Sequence, residues 1–152
     1  VVFRTGAMKT EEREIEERAI EELRFLGLAD AASNLARNLP YGDQRLLELA
    51  RALATNPALL LLDEPAAGMN EAETKVLIDY IGKIRERGIS ILLVEHDMNL
   101  VMTISDRISV LNFGKKIAEG DKTAIQSNDE VIEAYLGKGI RYAQSRPGIG
   151  VL

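Results

Sequence analysis

Two carboxylates, Asp63 and Glu64, stand at the end of four consecutive leucines, Leu59 to Leu62, and Pro65 stops the run. The single histidine of the chain, His96, ends a second apolar run and is flanked by Glu95 and Asp97. Upstream, Leu39-Pro40-Tyr41-Gly42-Asp43-Gln44 leads directly into a helical pattern. These residue types suit phosphoryl transfer, which needs a carboxylate for Mg²⁺ or its water shell and a group that orients an attacking water. Asp63, still within the strand end, suits the metal. Glu64, one residue further out, suits the water. An imidazole at His96 is able to touch a terminal phosphate in either protonation state. Backbone N–H groups at a helix start form an anion site, and a glycine such as Gly42 allows close approach. Each feature also has a plain structural reading: a solvated strand end, a structural histidine, an ordinary helix-start loop. Their order along the chain makes the case for chemistry.

The elements that must position these residues follow from hydrophobic patterning. A continuous apolar run such as Leu59 to Leu62 has no polar side and is expected to be a strand buried on both faces of a parallel sheet. Open α/β sheets bind their ligands beyond the carboxyl ends of such strands. Ile89 to Val94 reads as a second buried strand. Asp106 to Asn112 reads as a third, with Phe113-Gly114 turning it into a hairpin with Lys115 to Glu119. Between the first two strands, Glu71 to Arg87 is amphipathic, with Val76, Leu77, Tyr80, Ile81 and Ile84 inward and Gly88 as the stop. Before the strands, Asp43 onward carries a broad stripe of Leu46, Leu47, Leu49, Ala50 and Leu53, closed by Asn56-Pro57.

At the amino end, Val1 to Lys9 reads as irregular. Thr10 is placed to cap a helix with Ile15, Ala19, Leu23 and Leu26 inward and Gly27 at its end. The glutamates of this helix, Glu14, Glu16, Glu17, Glu21 and Glu22, read as a solvated face. Short helices are expected at 98–104, 122–126 and 129–136. The pattern β-α-β-α-β-β after leading helices argues for an α/β fold with a mostly parallel sheet. Three regions are expected: a helical subdomain at 1–56, an α/β core at 57–137 and a loose tail at 138–152.

Composition sets outer limits. A length of 152 residues suits one domain with a real core. A net charge of -5 supplies no basic face for nucleic acid. The lack of cysteine removes disulfides and thiolate metal sites and fits a reducing compartment. The apolar runs fall well short of the ~20 residues that span a bilayer.

Taken together, the motifs resemble the nucleotide-binding domain of ABC transporters. Leu39 to Gln44 with Leu49-Ala50-Arg51-Ala52-Leu53 resembles the signature motif and its helix, and Leu59 to Glu64 the Walker B strand with the catalytic glutamate. Ala67-Gly68-Met69-Asn70 resembles the D-loop, and His96 the switch histidine. Val94-Glu95-His96-Asp97-Met98, Ser105-Asp106-Arg107-Ile108 and Val131-Ile132-Glu133-Ala134-Tyr135-Leu136-Gly137 narrow the likeness to the LivG-type ATPase of branched-chain amino-acid importers. The resemblance implies a P-loop NTPase-like fold and ATP and Mg²⁺ as cofactors. It also implies a second ATPase subunit whose nucleotide meets Tyr41, Gly42, Asp43 and Gln44 in trans, transmembrane permease subunits as partners, and a cytoplasmic location on the inner face of the membrane. A DNA-repair-type ABC ATPase fits less well, because the helical stretch before Leu39 is short and the charge acidic.

The sequence departs from the family in two ways. The usual signature reads L-S-G-G-Q, whereas here Pro40 replaces the serine, Tyr41 the first glycine and Asp43 the glutamine. Pro40 brings neither hydroxyl nor N–H, and Asp43 adds a negative charge near a phosphate site. The second departure is that the adenine platform, P-loop and Q-loop of the family precede the matching region and have no counterpart in these residues. Gly6-Ala7-Met8-Lys9-Thr10 fails the G-x-x-x-x-G-K-[ST] pattern because Met8 stands at the second glycine. With Val1 ahead of the first methionine, Met8, this points to a piece of a longer chain rather than a free-standing product that docks on a partner ATPase. About five charge-assisted P-loop contacts at roughly 1.5–3 kcal/mol each come to roughly 8 kcal/mol or more, at least all that micromolar binding requires. The 152-residue chain alone is therefore expected to bind ATP more weakly than about 100 µM, measured by calorimetric or fluorescent-nucleotide titration.

Overall fold

The computed structural model describes residues 6–136. Helix α1 (Gly6–Phe25) is followed by two single 3₁₀ turns at Ala29–Ala31 and Ala36–Asn38, and by helix α2 (Tyr41–Leu53). Strand β1 (Leu59–Asp63), helix α3 (Glu71–Glu86) and strand β2 (Ser90–Val94) then form a β-α-β unit. Next come α4 (Met98–Ile104), β3 (Ile108–Asn112), β4 (Lys115–Gly120), α5 (Lys122–Gln126) and α6 (Asp129–Val131), whose path continues as a π-helical turn at Ile132–Leu136. The α/β class is the expected one. The expected loose tail at 138–152 and residues 1–5 of the irregular start expected at 1–9 lie outside the described residues, whereas 6–9 are helical, contrary to that expectation.

Two compact units make up the chain, with the division between His96 and Asp97. The first therefore joins residues from both sides of the expected boundary at 56/57. Its core is built from Leu26, Leu46, Leu49, Leu53, Leu60, Leu77, Ile81 and Ile84, all buried. In the second, Met102, Ile108, Val110, Ile125 and Val131 form one cluster, with Met98, Val101, Ile117 and Ala118 packed against it.

Strands β1 and β2 pair in parallel, from Leu59 opposite Ser90 to Asp63 opposite Val94. Their burial alternates, which corrects the expectation of strands covered on both faces. Leu60 is buried and shares a cleft with Leu49 and Ala52 of α2 and Leu77 of α3, whereas Leu59, Leu61, Leu92 and Val94 are all more than half exposed. The helices cover one face of this two-stranded sheet, so alternate residues lose their cover despite the unbroken apolar run. Strands β3 and β4 form an antiparallel hairpin. Its two-residue turn places both Phe113 and Gly114 at positive φ, 46° and 75°, as the twist of a tight hairpin requires. The register shifts beside Val110/Leu111, leaving Ile117 as the extra residue of a bulge.

Helix α1 departs from expectation at both ends of its sequence pattern. It begins at Gly6, so Thr10 lies inside it and bonds its hydroxyl back to the Gly6 carbonyl at 3.2 Å rather than capping it. Ile15, expected inward, is 61% exposed, because the packing of α1 is confined to its carboxyl half. Val76 of α3 is likewise exposed, at 45%. Glu22, expected on the solvated face, is 7% exposed. Its two oxygens accept hydrogen bonds from Arg87 Nη1 and Nη2 at 2.6 and 2.5 Å, and the guanidinium lies 4.6 Å over the Phe25 ring. Hydrogen bonding to Glu22 raises the Arg87 pKa above its ordinary value. Phe25 in turn meets Tyr80 edge-on with ring centres 6.1 Å apart. This cluster pins the end of α1 to the end of α3.

Replacing Arg87 with alanine strands the buried Glu22 carboxylate. The expected loss is about 1–3 kcal/mol, toward the lower end because Arg87 keeps part of its surface in water. The double substitution Glu22→Leu/Arg87→Leu should regain most of it, since the desolvation cost disappears with the charge. Urea unfolding of the three variants against the parent chain checks both.

Candidate active site at the ends of the parallel strands

The parallel register carries the chain segments after Asp63 and after Val94 to the same edge of the sheet. The ladder continues one step further, with the Glu64 N–H donating to the Val94 carbonyl at 2.9 Å. Glu64 then leaves the strand at φ +44°, a left-handed conformation that costs a non-glycine residue about 1 kcal/mol. That turn brings Glu64 Oε1 to 3.3 Å from His96 Nδ1. Both side chains are more than half exposed. Asp63, also exposed, sits one residue earlier at the strand end. The structure thus joins the two residues that the sequence singles out as catalytic, with the candidate metal carboxylate beside them in the chain.

Glu95 was not singled out by the sequence beyond its position next to His96. Its side chain is nearly fully buried. Oε1 accepts from the Ala66 N–H and Oε2 from the His96 N–H, each at 3.1 Å, and Oε2 lies 3.8 Å from His96 Nδ1. Its place after an apolar run was no signal of burial, since Glu64 stands just after β1 in the same way and is about half exposed. One of the two donors to Glu95, the Ala66 N–H, lies 29 residues away in sequence, and that part was not readable. Asp97, the other flanking acid, caps α4, its Oδ1 accepting from the Asn99 and Leu100 N–H groups.

A second group of candidate residues gathers where α2 begins. The helix starts at Tyr41, two residues earlier than the apolar stripe implied, with Pro40 at the cap position and no side chain capping the first N–H groups. Gln44 reaches back, Nε2 donating to the Leu39 carbonyl at 2.8 Å, and fixes the loop. Gly42 is buried, and a Cβ there would sit 3.0 Å from Glu73 Oε1. The Tyr41 hydroxyl donates to the Ala67 carbonyl at 2.8 Å and accepts from Arg45 Nε and Nη2 at 3.1 and 2.8 Å. Its ring lies against Gly68, where a φ of +78° and a 3.2 Å approach to an added Cβ both favour glycine. Tyr41 and the 67–68 turn are therefore in direct contact within one chain.

Asn70 is the cap of α3 in a reciprocal capping box, accepting from the Glu73 N–H at 3.0 Å while Glu73 accepts from the Asn70 N–H at 2.9 Å. The spacing Asn70-Glu71-Ala72-Glu73 was the readable signal for it. Asp43 and Met69 face one shallow groove of about 220 Å³ with Pro40, Gly42, Leu46, Ala72, Glu73 and Val76.

The residues present have the chemistry that one side of a nucleotide site would need. An uncapped helix start with a glycine suits a phosphate, and Asp63 suits a hard cation that takes one or two carboxylates and completes its shell with water and phosphate oxygens. Among the described residues no three His, Asp or Glu groups come together as a self-sufficient metal site.

Comparison with known proteins agrees with this geometry. Residues 2–67 match the model of the ABC transporter family, and residues 115–140 match that of the branched-chain amino acid ATP-binding cassette transporter. The chain belongs to the ABC transporter family of ATP-binding proteins. Within it, the chain is 48% identical over 138 residues to the high-affinity branched-chain amino acid transport ATP-binding protein LivG of Salmonella typhimurium, covering 90% of this chain and 54% of that protein. BraF of Pseudomonas aeruginosa, named for the same transport role, is 47% identical with the same coverage. A crystal structure of an ATP-binding cassette of an ABC transporter in its ADP conformation matches with a TM-score of 0.75 and 32% identity, over 82% of this chain and 51% of that one. The chain spans about half the length of the curated relatives it matches.

The contact between Tyr41 and Ala67 is open to test. Tyr41→Phe removes the bond to the Ala67 carbonyl and leaves Arg45 with Glu48, 2.8 Å away, as its remaining partner of the two. The expected destabilisation is about 0.5–1.5 kcal/mol, read by denaturant unfolding, with faster amide exchange in the 66–69 turn.

Proposed function

We propose that this chain is the part of an ATP-hydrolysing importer subunit that carries the signature, Walker B, D-loop and switch regions, and that the imported solutes are branched-chain amino acids. The observation that carries the hydrolytic reading is the placement of Glu64 3.3 Å from His96 at adjacent strand ends. The names of the relatives support the substrate class.

In this reading Glu64 accepts a proton from, and orients, the water that attacks the terminal phosphate. His96, through Nδ1, holds the Glu64 carboxylate and offers its other ring nitrogen to the phosphate side. Asp63 would be the residue that holds Mg²⁺. The ion supplies charge neutralisation for the phosphate oxygens when bound. Tyr41, Gly42, Asp43 and Gln44 at the start of α2 meet the nucleotide of a second ATPase subunit, and Ala67, Gly68, Met69 and Asn70 lie at the same interface. Because the Tyr41 hydroxyl already bonds to Ala67, its share in the nucleotide contact falls to the ring and the backbone. Permease subunits in the membrane are the remaining partners, with the ATPase on the cytoplasmic face. Among the described residues no helix is long and apolar enough to cross a membrane.

In a full-length ATPase carrying this segment, Glu64→Gln should lower ATP turnover by about 10²–10⁴, the contribution of a positioned general base, while nucleotide affinity stays within about two-fold. Steady-state phosphate release and a nucleotide-binding titration check the two halves. Unchanged turnover would remove Glu64 from its role.

A further inference from the structure

We infer that Glu95 is a positioning residue for hydrolysis, a two-oxygen staple that holds the turn after Glu64 to the backbone of His96; this rests on the hydrolytic reading above.

The argument starts from the strain in the turn. Glu64 sits at φ +44°, and a residue in that region keeps its conformation when its neighbours over-determine it. The neighbours that do so are few. The Ala67 N–H donates to the Glu64 carbonyl at 3.0 Å, closing the turn on itself. The Ala66 N–H donates to Glu95 Oε1 at 3.1 Å, tying the turn to the end of β2. The second oxygen of the same carboxylate takes the His96 N–H at 3.1 Å. One buried side chain therefore fixes both backbones that present the Glu64–His96 pair.

Its burial gives this arrangement authority. A carboxylate with about 2% of its side-chain surface exposed has little water to turn to, so both oxygens rely on these donors. Glu95 Oε2 also approaches His96 Nδ1, but at 3.8 Å, farther than the 3.3 Å of Glu64 Oε1. Glu95 acts on the pair through backbone geometry, and small errors of placement at a reacting centre are costly in rate rather than in binding.

The test uses a full-length ATPase carrying this segment, with Glu95→Ala, Glu95→Gln and Glu64→Gln compared with the parent. Glu95→Ala removes both acceptors and should lower kcat by about 10–100-fold with KM for ATP within about two-fold. Glu95→Gln keeps one acceptor oxygen and turns an amide N–H₂ toward the other donor, so a smaller fall of about 3–10-fold is expected. Thermal unfolding separates positioning from folding: the fall in kcat should exceed any loss of folded protein at the assay temperature. A kcat within about two-fold of the parent for both Glu95 variants overturns the proposal, as does a loss of activity matched by the loss of folded protein. If Glu95→Ala does not fold, the Glu95→Gln variant decides by the same criteria. Retained turnover in Glu64→Gln would sink the hydrolytic reading itself, whereas its loss beside normal Glu95 variants would sink the staple alone.

Discussion

The parallel pairing of β1 with β2 is the constraint on which the candidate site depends. Asp63 opposite Val94, extended by the bond from the Glu64 N–H to the Val94 carbonyl, fixes where both chain segments leave the sheet. A slip of one residue would move one strand end by about 3.3 Å and send every side chain of that strand to the other face. Glu64 and His96 would then no longer meet. The register is held by Leu60, which enters the core beneath α2 and α3 while its neighbours Leu59 and Leu61 do not. The geometry of the candidate site is thus inherited from a packing choice made by an apolar residue.

The same packing explains what could and could not be read from the sequence. Helices α2 and α3, strand β1, the two-residue hairpin turn and the short helix at Lys122–Gln126 come from local signals: an amphipathic stripe, an apolar run, paired positive-φ positions and a capping aspartate. Asp63, Glu64 and His96 were legible as candidates because they end apolar runs, and their order matches a known family. The depth of the Leu strand was not legible. A continuous apolar run states that neither face is penalised by burial, and it does not state that two layers are available to bury it. Leu61, at 66% exposure, marks the difference.

Charged residues show the limit more sharply. Glu22 lies on the same face of α1 as Ala19 and Leu26, which Glu21 does not, so its burial had a periodic signal, but nothing within α1 says what would pair with its charge. That partner, Arg87, is 65 residues away, and it brings with it the stacking on Phe25. Glu95 is the same case at a separation of 29 residues. By contrast the capping box of Asn70 and Glu73 is closed within one helical turn and was open to reading in advance. Long-range pairing of charges is what sequence patterning leaves undetermined, because the desolvation cost it offsets exists only after the chain has folded.

Asp63, Glu64 and Glu95 stand at the strand ends, and their burial and hydrogen bonding differ. Glu95 has both oxygens committed to backbone N–H groups in a buried position, which makes it rigid and unable to follow a reacting group. Glu64 is about half exposed, touches the imidazole through one oxygen and sits on a turn whose backbone is held from both sides. Asp63 remains within the ladder, where its backbone position is fixed by the pairing with Val94 while its side chain is exposed. A fixed, exposed acid suits a hydrated ion, an exposed acid on a held turn suits a water that must be aimed, and a buried acid with two donors suits the frame that holds them. Under the proposed roles, exchanging the positions of Glu64 and Glu95 would bury the group that must reach water and expose the one that must not move, so the proposed assignment rests on burial and donor count rather than on residue type.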